Sequence, residues 1–142
     1  MKTITDKELA IQAVREDPNA LEYVSKELQN DKDVVLEAVR QEIGCINYAN
    51  KRMRGNKQIA LVMVKKEGLA LQFLNNKLRN DREVVLEAVK ENGEAFCYAS
   101  EELRNQNDIF LIAVKQNIDA VQWADNCLRK QMQRLIINYL KE

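Results

Sequence analysis

The apolar positions of this chain form ladders that return at a fixed interval. Shifting Asn80 to Arg104 by 25 residues lays Asn30 to Arg54, Gly55 to Arg79 and Asn105 to Arg129 beside it without a gap, with Thr5 to Gln29 as a weaker first copy. Three columns stand at helical spacing in every copy: Ala10, Val35, Ala60, Val85 and Phe110; Ile11, Leu36, Leu61, Leu86 and Leu111; Val14, Val39, Val64, Val89 and Val114. They predict a first helix of about eleven residues that buries one face. A break follows at Asp17-Pro18, Ile43-Gly44, Gly68, Asn92-Gly93 and Asn117-Ile118, where Gly or Pro supplies the turn. A second helix then presents Leu21, Ile46, Leu71, Phe96 and Val121, with Tyr23, Tyr48, Phe73, Tyr98 and Trp123 beside them.

The helix ends carry their own signals. Thr5 with Glu8, Asn30 with Asp33, Asn80 with Glu83 and Asn105 with Asp108 set a capping oxygen three residues ahead of an acid, which predicts the start of the first helix. Arg15, Arg40, Lys65, Lys90 and Lys115 lie near its negative end. Ser25, Asn50, Asn75, Ser100 and Asp125 share one column of capping residues, so the second helix ends there. The residues after it, with Leu28, Met53, Leu78, Leu103 or Leu128 pointing inward, make a single turn into the next copy.

A unit of this kind cannot bury both faces alone, so copies stack and the stack closes on an atypical end. The expectation is one all-α domain over residues 1–142, a right- or left-curving helical-repeat solenoid of five 25-residue repeats (5–29, 30–54, 55–79, 80–104 and 105–129). Met132, Leu135, Ile136, Tyr139 and Leu140 form the apolar stripe of a C-terminal capping helix over 130–142. The blocks DREVVLEAVKENG at Asp81 to Gly93 and YASEELRN at Tyr98 to Asn105 resemble those of the tandem-repeat family known as domain of unknown function 4116. That resemblance covers nearly the whole chain, implies an adaptor- or effector-like module, and carries no activity with it.

Charge changes the picture little. Twenty-two basic and twenty-two acidic residues cancel, so attraction to nucleic acid or to an acidic membrane would need a local patch. No run approaches the ~18 apolar residues of a membrane span, and the N-terminus has no signal-peptide pattern. The cytosol is the default compartment, with secretion by an unconventional route left open. Cys45, Cys97 and Cys127 make no CxxC pair and suit a reducing environment. Cys45 shares a column with Ala20, Ala70, Ala95 and Ala120, the place of a small core residue.

The chemical inventory is sparse. There is no histidine, and no phosphate-binding glycine loop is written. Gly44, Gly55, Gly68 and Gly93 read as helix punctuation, and the aromatics as core. These observations predict a protein that is not an enzyme, with no catalytic, cofactor-binding or metal-binding residues and no cofactor. What is left is an interaction scaffold whose partner is a protein or an extended peptide. Asn47, Gln72 and Gln122 form an amide column able to bond a peptide backbone. Val62 and Ile112 replace the Gln12, Glu37 and Glu87 of other copies and mark a second contact surface, for a partner or for self-association. The weaker alternative is nucleic acid, with Arg54, Arg79, Arg104 and Arg129 tracking phosphates.

Overall fold

The computed structural model describes residues 2–124 and 126–141; the side chains at 121, 126–128, 131, 135, 136, 139 and 140 lie outside the described set. Expectations for Val121, Asp125, Cys127, Leu128, Leu135, Ile136, Tyr139 and Leu140 therefore fall outside it. The chain is mostly helical, and among the described residues there is no strand, only one isolated parallel bridge between Ile4 and Val24.

Each copy opens with a ten-residue helix: α1 Lys7–Glu16, α2 Lys32–Gln41, α4 Lys57–Lys66, α6 Arg82–Glu91 and α8 Asn107–Gln116. A six-residue 3₁₀ segment follows each one, at Pro18–Tyr23, Ile43–Tyr48, Gly68–Phe73, Gly93–Tyr98 and Ile118–Trp123. A short turn closes the copy: a 3₁₀ turn at Leu28–Asn30, then α3 Lys51–Arg54, α5 Asn76–Arg79 and α7 Glu101–Arg104. The helix α9, Asn126–Lys141, runs the fifth copy's turn and the tail together, so the last helix begins four residues ahead of the expected 130. Its Met132 is half-buried against the core.

The cap of the first helix lies one residue later than the sequence suggested. Asp6, Asp31, Asn56 and Asp81 hold the N-cap and accept from the backbone N–H of Leu9, Val34, Ile59 and Val84. Asn30, Asn80 and Asn105 instead end the preceding turn. Asn and Asp cap about equally well, so residue type alone does not choose between neighbours such as Asn30 and Asp31. The capping column of the second segment is where it was expected: Ser25, Asn75 and Ser100 accept from Leu28, Leu78 and Leu103, and Asn50 from Arg52.

The buried face is wider than three columns. Val34, Ile59, Val84 and Ile109, with Ala38, Met63, Ala88 and Ala113, are fully buried although neither column was expected to be. Each helix inside the array packs α1 on α2, α2 on α4, α4 on α6 and α6 on α8, so it buries one flank against the copy before and another against the copy after. Leu9 shows which flank is which: it opens the same column in the first copy, where no helix of a preceding copy stands among the described residues, and is 60% exposed. The Leu86 column, expected to be buried, lies at the edge of this arc. Ile11, Leu36, Leu61 and Leu86 are half-buried and Leu111 is exposed.

Polar bonds between copies fix the register. A cation at the start of a helix opposes the helix dipole, yet Lys7, Lys57 and Arg82 stand there. Each reaches forward to the next cap: Lys7 to Asp31 at 3.0 Å and Asp33 at 2.8 Å, Lys57 to Asp81 at 3.0 Å and Glu83 at 2.8 Å, and Arg82 to Gln106 and Asp108. At the other end Gln41 donates to the Val14 carbonyl at 2.7 Å and Lys66 to the Arg40 carbonyl at 2.7 Å, meeting acceptors that a helix C-terminus leaves free. The amides of Ser25, Asn50 and Ser100 donate to the carbonyls of Ile4, Gln29 and Arg79 in the copy before, or, for Ser25, in the N-terminal stretch that takes its place.

These pairs make stability pH-dependent. Partial burial alone would raise the Asp31 and Asp81 carboxyls, but the lysine and backbone N–H bonds hold both below the ordinary carboxylate value. The Arg82 hydrogen bond lowers Asp108. A depressed carboxylate contributes stability that is present above its unfolded pKa of ~3.9 and is lost as pH falls through the folded value. The hydrogen bonds to the acids raise Lys7 and Lys57, whose contribution is present below ~10.4 and lost above it. The melting temperature is therefore expected to be flat between pH 5 and 9 and to fall below about pH 4. The combined variant Asp31→Asn, Asp81→Asn and Asp108→Asn keeps its caps and should show a shallower acid limb in a thermal scan series; an unchanged limb would remove these pairs from the account.

Candidate functional site

Along the 3₁₀ segments exposed aromatic, amide and acidic side chains recur together. Asp17, Asn92 and Asn117 start their segments by accepting from the amides of Asn19, Glu94 and Asp119 at 2.9, 3.0 and 2.9 Å. At three residues per turn, positions three apart lie one above the other. The small column Cys45, Ala70, Ala95 and Ala120 is buried, as expected, and Leu21, Ile46, Leu71 and Phe96 are buried beside it. The row one step on points outward, pairing Glu94 with Cys97 and Asp119 with Gln122.

The aromatic column is not core. Tyr23, Phe73 and Trp123 are 44%, 64% and 44% exposed, and Tyr48 and Tyr98 are half-buried at the core's edge. Each ring is the last residue of its 3₁₀ segment, one turn beyond the small-residue column; Tyr48 and Tyr98 still pack against the core there, while Tyr23, Phe73 and Trp123 project from it. Between the fourth and fifth copies the surface folds into a cleft of about 280 Å³, lined by Tyr98, Trp123, Glu94, Asp119, Gln122 and Leu69 among others.

Charge is segregated despite the neutral total. Residues 17–23, 42–48, 67–73, 92–98 and 117–123 hold Asp17, Glu22, Glu42, Glu67, Glu94 and Asp119 and no lysine or arginine. All six acids are exposed. Their field reaches the aromatics, since the Glu22 carboxylate of the first copy pushes the Tyr48 phenol of the second above its usual value. Every charge carried by the segments themselves is thus acidic, while Arg104 and Arg129 of the following turns donate to carbonyls at their ends.

The candidate residues read from sequence divide among three places. Asn47, Gln72 and Gln122 are all exposed on the 3₁₀ surface, Gln72 donating to the Leu69 carbonyl at 3.1 Å. Cys97 interrupts the column in the fourth copy. Val62 and Ile112 lie on the long helices α4 and α8, half-buried against the core, so they do not share a surface with the amides. Arg104 and Arg129 sit under the ends of the 3₁₀ segments: Arg104 donates to the Trp123 carbonyl at 3.1 Å, and Arg129 to the carbonyls of Ala124 and Gln122 at 2.8 and 2.7 Å. Gln29, in the same column, serves Leu21 and Glu22 in the same way. Arg79 donates to Asn76 at 2.8 Å, and Arg54 is exposed.

Two of the three thiols are described. Burial pushes Cys45 up to about 11 and also raises Cys97, so both are protonated at neutral pH and neither is a ready thiolate nucleophile. No helix among the described residues is long and apolar enough to cross a membrane.

No curated protein and no solved structure is significantly similar to the chain. The sequence model of the family described as Domain of unknown function (DUF4116) matches residues 6–54, 56–104 and 81–129, each match covering two successive units of long helix, 3₁₀ segment and turn. Two of these matches overlap, as they must where one unit repeats without interruption, and together they reach from the Asp6 cap to Arg129; the chain belongs to the Domain of unknown function (DUF4116) family.

Proposed function

We propose that the protein is a non-enzymatic interaction scaffold, an α-solenoid of five 25-residue repeats that holds an extended peptide across the ends of its 3₁₀ segments. The observation that carries this reading is the aromatic column, which places a Tyr, Phe or Trp at the end of every 3₁₀ segment and leaves Tyr23, Phe73 and Trp123 exposed. Exposed large rings that share one surface with polar neighbours mark contact sites more often than isolated ones do. Solenoid support comes from the long helices, which pack in chain order with elements that start every 25 residues. The amide row beside the rings offers both donors and acceptors to a peptide backbone.

Phosphate tracking by Arg54, Arg79, Arg104 and Arg129 draws less support. Arg104 and Arg129 already serve backbone carbonyls, and the adjoining acidic row repels a polyanion.

Peptides selected on the protein from a random display library test this reading. Changing Asn47, Gln72 and Gln122 together to alanine should leave the circular dichroism spectrum intact and weaken a selected peptide by about tenfold or more, since each lost bond is worth ~0.5–1.5 kcal/mol. Failure to enrich any peptide, or full affinity in the triple variant with loss only on changing Arg79 and Arg104, would overturn it.

A further inference from the structure

We infer that the stretch carrying Phe73, Tyr98 and Trp123 takes a basic peptide in the polyproline II conformation; this rests on the peptide-binding reading and names its ligand. The 3₁₀ segments of the third, fourth and fifth copies pack directly on one another, whereas those of the second and third make at most marginal contact, so the three rings belong to one unbroken surface. Packed helices stand ~8–10 Å apart. A polyproline II helix brings every third residue to the same side, and three residues at ~3.1 Å advance about 9.3 Å. A copy-to-copy spacing in that general range matches one triplet of such a peptide. A β-strand repeats its side chains on one face every ~6.6–6.8 Å and falls out of step.

Chemistry favours the same ligand. Proline rings settle between aromatic side chains, and a polyproline II backbone makes no bonds of its own, leaving its carbonyls to donors such as the Gln72 and Gln122 amides. Glu94 and Asp119 line the cleft between Tyr98 and Trp123, and Glu67 starts the neighbouring copy's segment. Asn117 Nδ2 donates to Glu94 Oε1 at 3.3 Å, which orients that carboxylate and leaves its second oxygen to a guanidinium. The fitting ligand repeats proline with one arginine or lysine in each triplet.

Trp123 is the single tryptophan of the sequence and lies on this surface, so its fluorescence reports binding without a label. The full chain is titrated with a peptide of three Pro-Pro-Arg triplets, with Pro-Pro-Glu and Gly-Ser-Arg triplets of equal length, and with oligouridylate. The inference expects a saturable response to the Pro-Pro-Arg peptide below ~1 mM, weaker at high salt. Phe73→Ala and the pair Glu94→Gln with Asp119→Asn, all at exposed positions, should each weaken it several-fold while leaving the circular dichroism spectrum unchanged. An equal response to the Gly-Ser-Arg peptide would overturn the polyproline assignment and leave peptide binding standing. A preference for oligouridylate, or no response to the Pro-Pro-Arg peptide, would overturn the inference, and the display selection then decides the wider reading by itself.

Discussion

Replacing Phe96 by alanine is expected to lower the unfolding free energy by about 3–5 kcal/mol, the largest effect of any single side chain considered for this protein. Phe96 is 0% exposed and the largest of the fully buried side chains among the described residues. Its ring meets Phe110 of the next copy at 6.0 Å between centroids, tilted by 46°, so it joins the 3₁₀ segment of one repeat to the long helix of the following one. Removing it leaves a cavity at a junction, and the loss couples two copies rather than loosening one. Urea denaturation of both proteins measures the difference; a loss under about 1 kcal/mol would mean that this junction repacks freely.

Glycine substitutions should divide sharply by column. At Gly68 an added Cβ collides with the Ala88 carbonyl and comes within 2.8 Å of the Glu91 carboxylate, and at Gly93 it comes within 2.8 Å of the Ala113 carbonyl. These atoms belong to the next copy's helix, whose backbone cannot step aside without moving the copy. Gly68→Ala should therefore destabilise by about 1–3 kcal/mol, as overpacking does. At Gly44 the added carbon meets only Glu42 Oε1 at 3.7 Å, and no glycine has positive φ. Gly44→Ala should be neutral or stabilising by about 0.4–1 kcal/mol through the unfolded chain. Equal effects at the two sites, in the same denaturation experiment, would break the argument that Gly68 marks close approach between copies.

Those glycines show where sequence reasoning reached its limit. Read alone, Gly44 and Gly68 are both helix punctuation; their difference lies in what another copy brings against them. Ile43 stands in the column of Gly68 and Gly93, and there the neighbouring 3₁₀ segments stand off. Period and register were legible because they depend on local residue type repeated along the chain: the described members of the buried Val39, Leu71 and Leu78 columns, and the caps at Ser25, Asn50, Asn75 and Ser100, lie where the pattern put them. The Val34 column was missed because a helix between two neighbours buries a wide arc, and periodicity marks only the arc's centre. Leu86 was misplaced for the same reason.

The candidate site was half legible. Asn47, Gln72 and Gln122 could be chosen because an amide at a polar position repeats, but the aromatics beside them looked like core since apolar character does not reveal where a segment's end leaves the stack. One signal was available and unused: the breaks and second segments contain acids but no lysine or arginine, which a count by segment rather than by chain exposes.

The most direct test of the peptide-binding surface is a heteronuclear NMR titration of the full chain with a peptide enriched by display. The account predicts that the Trp123 indole N–H, the side-chain amides of Gln72 and Gln122 and the backbone amides of Gly68–Phe73 and Gly93–Tyr98 shift together, with one affinity. Shifts confined to the short arginine-bearing helices Lys51–Arg54, Asn76–Arg79 and Glu101–Arg104, with the Trp123 indole unmoved, would contradict it.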